Sequence, residues 1–311
     1  MNTNTNAKIM PFRLQPVFKN YIWGGTRLID QWGKIADAPL AESWELAAHS
    51  DGDNLIISGE LSGMKLSDAA KKFPEIISTD YKPEKNFPLM VKLLDAKNYL
   101  SIQAHPDNDY ARVHENSYGK TELWYVLEHE PDAFIYMGFN KKITRDEFKE
   151  AILTNTLTNY LNKIPVHKGD TFYIAPGTIH ALGSGILVAE IQESSNITYR
   201  VFDYGRGREL HIDKALDVVK TYPVDYSAPK RSGDVITDCE KFYARVIELN
   251  EFSIAPCNKF YFGLCLDGEY KIKCGESYEI LKRGENIFIP ANSSSCECYG
   301  SGKFLLTKSN L

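Results

Sequence analysis

No cysteine precedes residue 239, no C-x-x-C pair occurs anywhere, and no histidine follows His211 in this chain of 311 residues. A structural zinc knuckle or ribbon built on paired cysteines is thereby excluded. The six cysteines are Cys239, Cys257, Cys265, Cys274, Cys296 and Cys298. Cys296 and Cys298 are the one close pair, and two ligands without a neighbouring histidine do not close a tetrahedral site. We therefore read all six as reduced, buried, small hydrophobes. A basic excess is also missing: Lys plus Arg is 36, Asp plus Glu is 41, and the net charge is −5. That argues against a broad nucleic-acid surface. No run approaches the ~18–20 apolar residues of a membrane-spanning helix. The N-terminal MNTNTNA is polar and does not read as a signal peptide. The expectation is a cytoplasmic protein with a polar tail over 1–10, no membrane association and no evident obligate protein partner.

What is present is aromatic and β-branched. Aromatics make up 12% of the chain and hydrophobic residues 43%. Many sit in short runs: 134–137 (FIYM), 171–174 (TFYI), 197–202 (ITYRVF) and 260–264 (FYFGL). Such runs, bounded by Gly, Asn, Asp and Pro, predict strands of a sandwich or barrel. Helices are fewer. Thr144 and Glu147 form a capping box, and the apolar spacing Phe148, Ile152, Leu153, Leu157, Leu161 predicts a helix behind it. Residues 66–77 and 212–220 are shorter helical candidates. The segment 222–239 is rich in Pro, Ser and Asp and reads as a linker. The sequence from Gly169 (GDTFYIAPG) is echoed from Gly284 (GENIFIPAN). The first copy reaches His180 and the second reaches Ser295 at the same offset, so a fold unit is duplicated without its chemistry. The predicted organisation is a catalytic domain over 11–221, a linker over 222–239 and a second, metal-free half over 240–311.

Gln103 and His105 stand two apart and share a face if 102–104 is a strand. Glu122 opens another strand, and His180 ends the run 176–180 (PGTIH). Imidazole nitrogens with amide and carboxylate oxygens suit zinc, manganese or iron, with zinc as the default. Singly, each residue would more often be a turn histidine or a surface acid. Together, Q-x-H, a strand-opening Glu and P-G-x-x-H form the metal pattern of a cupin barrel. The predicted fold is mostly β, two cupin-type (jelly-roll) barrel halves with a few accessory α-helices. His49, His114, His129, His167 and His211 are read as ordinary, with His129 and His167 exposed.

The chain resembles the type I mannose-6-phosphate isomerases, in their short bacterial form. The stretches that carry this are YIWGG from Tyr21, AESWE from Ala41, LSIQAHPD from Leu100, GKTELW from Gly119, PGTIHA from Pro176 and EIQESSNITYR from Glu190. They span about residues 10 to 215. The resemblance implies one zinc ion per chain on Gln103, His105, Glu122 and His180. It places the family's essential arginine on Arg200, its phosphate-side residues on Ser101 and Lys92, and a further active-site lysine on Lys120. Its early acid and tryptophan fall on Glu42 and Trp44. Arg206 stands where larger relatives often carry Lys, and Leu182 where they carry Tyr.

The implied activity is aldose–ketose isomerisation of a small sugar phosphate, mannose 6-phosphate to fructose 6-phosphate, through an enediol(ate). Charge developing on the O1/O2 edge calls for a cation or strong donors, and the proton needs an acid/base. Candidates for the base are Glu190, Glu42, Lys120 and a zinc-bound water. We favour Glu190, against the reading of Glu190 as a strand acid paired with Arg200. Arg200 stays protonated and would orient substrate or stabilise charge. The alternatives are a cupin-type isomerase of another sugar and a non-catalytic sugar-binding cupin.

Overall fold

The computed structural model describes residues 9–227 and 231–311. Most of the tail expected over 1–10, and three residues of the 222–239 segment, lie outside them. The protein is mostly β, 42% strand against 14% helix, as the aromatic and β-branched runs predict. Among the described residues no helix is long and apolar enough to cross a membrane.

The chain forms two compact units. One comprises residues 18–43 and 90–227. It contains a five-stranded sheet in the order Leu161–Pro165, Phe134–Phe139, His180–Leu182, Ile102–Ala104, Tyr199–Phe202. A six-stranded sheet runs Thr171–Ile174, Glu122–His129, Ile186–Glu193, Leu89–Ala96, Glu42–Leu46, Val17–Lys19. Strand parity sorts the side chains. Ile102, Ala104, Ile179, Ala181, Tyr199 and Val201 pack on one face of the five-stranded sheet. The helices Arg145–Leu153 and Ile212–Val218 cover that face through Phe148, Ile152, Ala215 and Leu216. The residues between them, Gln103, His180 and Arg200, must therefore point to the opposite, inner face. On the six-stranded sheet, Trp124, Val126, Val188 and Leu94 enter the inter-sheet core with Ile135 and Met137. Glu122, Glu190 and Lys92 share their parity and so share that inner face.

The helix after Thr144 is shorter than its apolar spacing suggests. The capping box is present, with Thr144 accepting from the Glu147 amide and Glu147 reaching back to the Thr144 amide. The α-helix ends at Leu153, Asn155 takes a φ of 57°, and Leu157–Tyr160 is a 3₁₀ turn. Residues 66–77 likewise split into Leu66–Lys72 and a 3₁₀ turn at Pro74–Ile76, because Pro74 cannot continue the helix. Two helices escaped the periodicity reading: the single turn Arg27–Asp30, and Asn108–His114, capped by Asp107, which accepts from the Tyr110 amide.

The other unit comprises residues 9–17, 44–89 and 231–311. Its sheet is built on two 14-residue strands, Tyr261–Cys274 and Cys296–Ser309. Val235–Asp238, inside the segment read as a linker, is a strand paired with Phe242–Ile247. Asn286–Ile289, the echo of Thr171–Ile174, pairs with Tyr261–Cys274. The reading of six reduced thiols does not hold: Cys274 and Cys296 form a disulfide, while Cys239, Cys257, Cys265 and Cys298 are free. The reason is register. Cys274 faces Cys296 directly across antiparallel strands, with Cα atoms 4.3 Å apart, the close spacing of a non-hydrogen-bonded pair.

Candidate functional site

Cross-strand register assembles the site. His180 lies opposite Gln103, and Gln103 lies opposite Arg200, in one row of the five-stranded sheet. On the facing sheet, Glu122 lies opposite Gln192, and Trp124 lies opposite Glu190. His105 follows Gln103 by two residues. The outcome is a polar patch on the inner faces of an otherwise apolar sandwich.

His105, Glu122 and His180 converge, with ligand-capable atoms within 4.8 Å of one another. His180 Nε2 is 3.1 Å and His105 Nε2 is 3.5 Å from Glu122 Oε1. All three residues are at most 1% exposed. The other ring nitrogens are occupied: His105 Nδ1 donates to the Ile197 carbonyl at 2.7 Å and His180 Nδ1 to that of Thr178 at 3.0 Å. In that tautomer both Nε2 atoms present lone pairs, and they and Glu122 Oε1 are buried without a hydrogen-bond partner. Burial first, then Lys120, lowers the His105 imidazole from 6.5 to about 3, so it is neutral. Two buried imidazole nitrogens beside a carboxylate, with the outer ring nitrogens fixed by carbonyls, are the donor set of a metal ion. The group therefore fits a metal. Gln103 lies across from His180, and its Oε1 accepts from Ser101 Oγ at 3.2 Å.

In front of this group is a cavity of about 330 Å³. Gln103, Lys120, Trp124, Glu190, Lys92, Glu42, Ser101 and Arg200 line it. Lys120 Nζ is 2.6 Å from Glu122 Oε2 and 3.7 Å from Glu190 Oε1. Lys92 Nζ is 3.5 Å from Glu190 Oε1 and 3.8 Å from Glu42 Oε2. Burial pulls the Lys120 ammonium down, yet Glu122 and Glu190 hold it above its ordinary value. Burial opposes ionised Glu122 too, but the Lys120 ammonium keeps its carboxyl well below the usual range. Glu190 goes the other way: burial outweighs Lys120 and its carboxyl rises. Glu190 is paired with the two lysines, not with Arg200, and Trp124 Nε1 donates to its Oε2 at 2.9 Å. Arg200 donates through Nε to Ser101 Oγ and through Nη1 to the Glu209 carbonyl.

Two expected residues are placed otherwise. Arg206 is turned inward, with Nη1 on the Tyr99 carbonyl at 2.7 Å and Nη2 on Asp203 at 2.7 Å. Trp44 is fully buried in the other unit, its ring over Gly52. Residues not singled out also line the cavity: Tyr21, Trp23, Asn196, Thr198 and Arg208. Tyr21 and Trp23 were within reach of the sequence. A Cβ on Gly24 would come 2.7 Å from the Ala41 nitrogen, so the YIWGG turn owes a glycine to close backbone approach. Trp124 was legible by parity with Glu122. Arg208 carried no periodic signal.

The chain matches, over residues 11–143, the family model described as phosphomannose isomerase type I, catalytic domain. It is 36% identical to a Bacillus subtilis protein named probable mannose-6-phosphate isomerase, over 96% of this chain and 98% of that one. It is 33% identical to a Bacillus subtilis mannose-6-phosphate isomerase, over 95% of each chain. The crystal structure of a Bacillus subtilis mannose 6-phosphate isomerase superimposes with a TM-score of 0.89 at 30% identity, covering 96% of this chain and 99% of that one.

Proposed function

Because the chain belongs to the type I phosphomannose isomerase family, with the cupin fold, we propose that it interconverts mannose 6-phosphate and fructose 6-phosphate in the cavity before His105, Glu122 and His180. The observation that carries the reading is the convergence of those three buried groups behind a cavity that holds Glu190 between two lysines. In our proposal Gln103, His105, Glu122 and His180 hold one zinc ion per chain. Bound there, zinc supplies Lewis-acid stabilisation of charge on the O1/O2 edge of the sugar.

The chain's own residues do the rest. Glu190 takes the proton from C2; the C–H electron pair forms the C1–C2 double bond, and O1 gains a proton. The proton that O1 gains is the one O2 gives up: the O2–H electron pair forms the C2 carbonyl, the C1–C2 double-bond pair takes the proton back from Glu190 at C1, and the ketose results. Lys92 and Lys120 both face Oε1 of the Glu190 carboxylate, and Trp124 donates to its other oxygen, Oε2. Burial raises the affinity of Glu190 for the proton it must accept. Lys120 also orients Glu122. Arg200, braced on Ser101, offers a guanidinium to the phosphate or the developing charge. Glu42 holds the far side of Lys92. Arg206, in this reading, acts through its hold on Asp203 and the Tyr99 carbonyl and not by touching substrate.

The test is a coupled assay of fructose 6-phosphate formation, run beside metal analysis of the purified protein. Stoichiometric zinc is expected, with activity lost on chelation and restored by zinc. His105→Ala and His180→Ala should lose the metal and about a hundredfold or more of kcat. Full turnover by metal-free protein would overturn the metal assignment. A preference for unphosphorylated mannose would overturn the substrate.

A further inference from the structure

Three arginines, Arg200, Arg206 and Arg208, crowd around one buried carboxylate. Asp203 is 4% exposed and accepts from both Arg206 and Arg208 through Oδ1, with Arg208 Nε on Oδ2 at 2.9 Å. One negative charge faces three positive ones, and Glu209, the other acid acting on Arg200, keeps its side chain 84% exposed. The loop makes this possible because Tyr204, Gly205 and Gly207 all take positive φ, 54°, 75° and 80°. At the two glycines no Cβ opposes that turn. The alternation sends successive arginines to different destinations. Arg206 places Nε, Nη1 and Nη2 on the Asp203 carbonyl, the Tyr99 carbonyl and the Asp203 carboxylate. Arg208 uses only Nε and Nη2 on Asp203, lines the cavity, and has no partner for Nη1 among the described residues. Its fork is fixed on one edge and open on the other.

We propose that Arg208 is the residue that seats the dianionic phosphate of the substrate, and that Asp203 is a positioning residue that aims it. This deepens the functional reading above and rests on it. Arg208 and Arg200 approach the cavity together, and Arg200 is itself braced on Ser101 and the Glu209 carbonyl, so the pair is preorganised. The shared excess of positive charge shows in Arg200, whose guanidinium is lowered by burial and then by Arg208. A planar guanidinium with a free edge matches phosphate oxygens better than an ammonium would.

Arg208→Gln is expected to raise KM for mannose 6-phosphate about ten- to a hundredfold while kcat changes little, since the phosphate is remote from the reacting carbons. Competitive inhibition by inorganic phosphate should weaken by a similar factor. Arg208→Lys should fall between the two. Asp203→Asn should raise KM in the same direction, and the double variant should do little more than Arg208→Gln alone, the non-additivity of residues acting as a unit. Melting curves establish that each variant is folded. An unchanged KM and unchanged phosphate inhibition in folded Arg208→Gln or Arg208→Lys would overturn the inference, as would full additivity with Asp203→Asn. Should wild-type protein fail to isomerise mannose 6-phosphate, the functional reading falls. The inference is then decided by titrating wild type and Arg208→Gln with inorganic phosphate: weaker binding to the variant supports it, equal binding or none overturns it.

Discussion

Glu190 is pulled both ways. Burial and the acids Glu122 and Glu42 raise its carboxyl, Lys120 and Lys92 lower it, and the balance lies above the ordinary 4.5. In its proposed role as the base Glu190 acts ionised, so turnover is lost as pH falls through that raised value. The acid limb of kcat/KM is therefore expected above 4.5. Trp124→Phe removes a donor to the ionised form, which should move the limb to still higher pH and lower kcat about tenfold. A limb that stays in place in the variant would remove Glu190 as the base. At this scale much was legible, because parity is a sequence property. Gln103 lies between two apolar neighbours, Glu122 precedes Trp124 and Val126, and alternation alone puts the polar members on one face. The direction of a single long side chain is not a sequence property. Arg206 and Arg208 have the same parity, and only the turn with Tyr204, Gly205 and Gly207 at positive φ separates their roles.

Among elements, the Cys274–Cys296 bridge is the clearest case of information absent from local sequence. The cysteines are 22 residues apart, and two further strands, Ser277–Lys282 and Asn286–Ile289, intervene. Nothing local sets the register that brings them opposite one another. The cap at Thr144 was legible because its signal and its effect are three residues apart. Closing a loop of this length should stabilise the fold by about 3 kcal/mol. Cys274→Ser and reductant on wild type should each lower the unfolding free energy by about that amount, and reductant should add nothing to the variant. Denaturant titration followed by tyrosine and tryptophan fluorescence measures it. Equal stability of oxidised and reduced wild type would show that the bridge contributes nothing.

For the whole molecule, the reading of 240–311 as a second half carries a consequence for how the chain can be cut. Residues 231–311 share a compact unit with 9–17 and 44–89. Phe12 stacks on Phe288 at 4.9 Å, and the two exchange backbone hydrogen bonds. Leu14 donates to Asn286 Oδ1, and Asn286 donates to the buried Glu45 carboxylate at 3.0 Å. Phe87 packs against Phe260, and the Ala291 amide reaches the Ile76 carbonyl. These are pairings between the two ends of the chain, invisible to a reading that scans for local composition shifts. A fragment ending at residue 227 keeps every residue assigned to the chemistry but strips the partners from Phe12, Leu14, Ile76 and Phe87, each at most 3% exposed. Four such side chains are worth about 6–12 kcal/mol of burial, as much as a typical domain's whole stability of about 5–15 kcal/mol. The fragment should therefore melt without a cooperative transition and bind dyes that report exposed apolar surface. A cooperative melt near that of the full chain would show instead that the portion carrying His105, Glu122 and His180 is an independent folding unit.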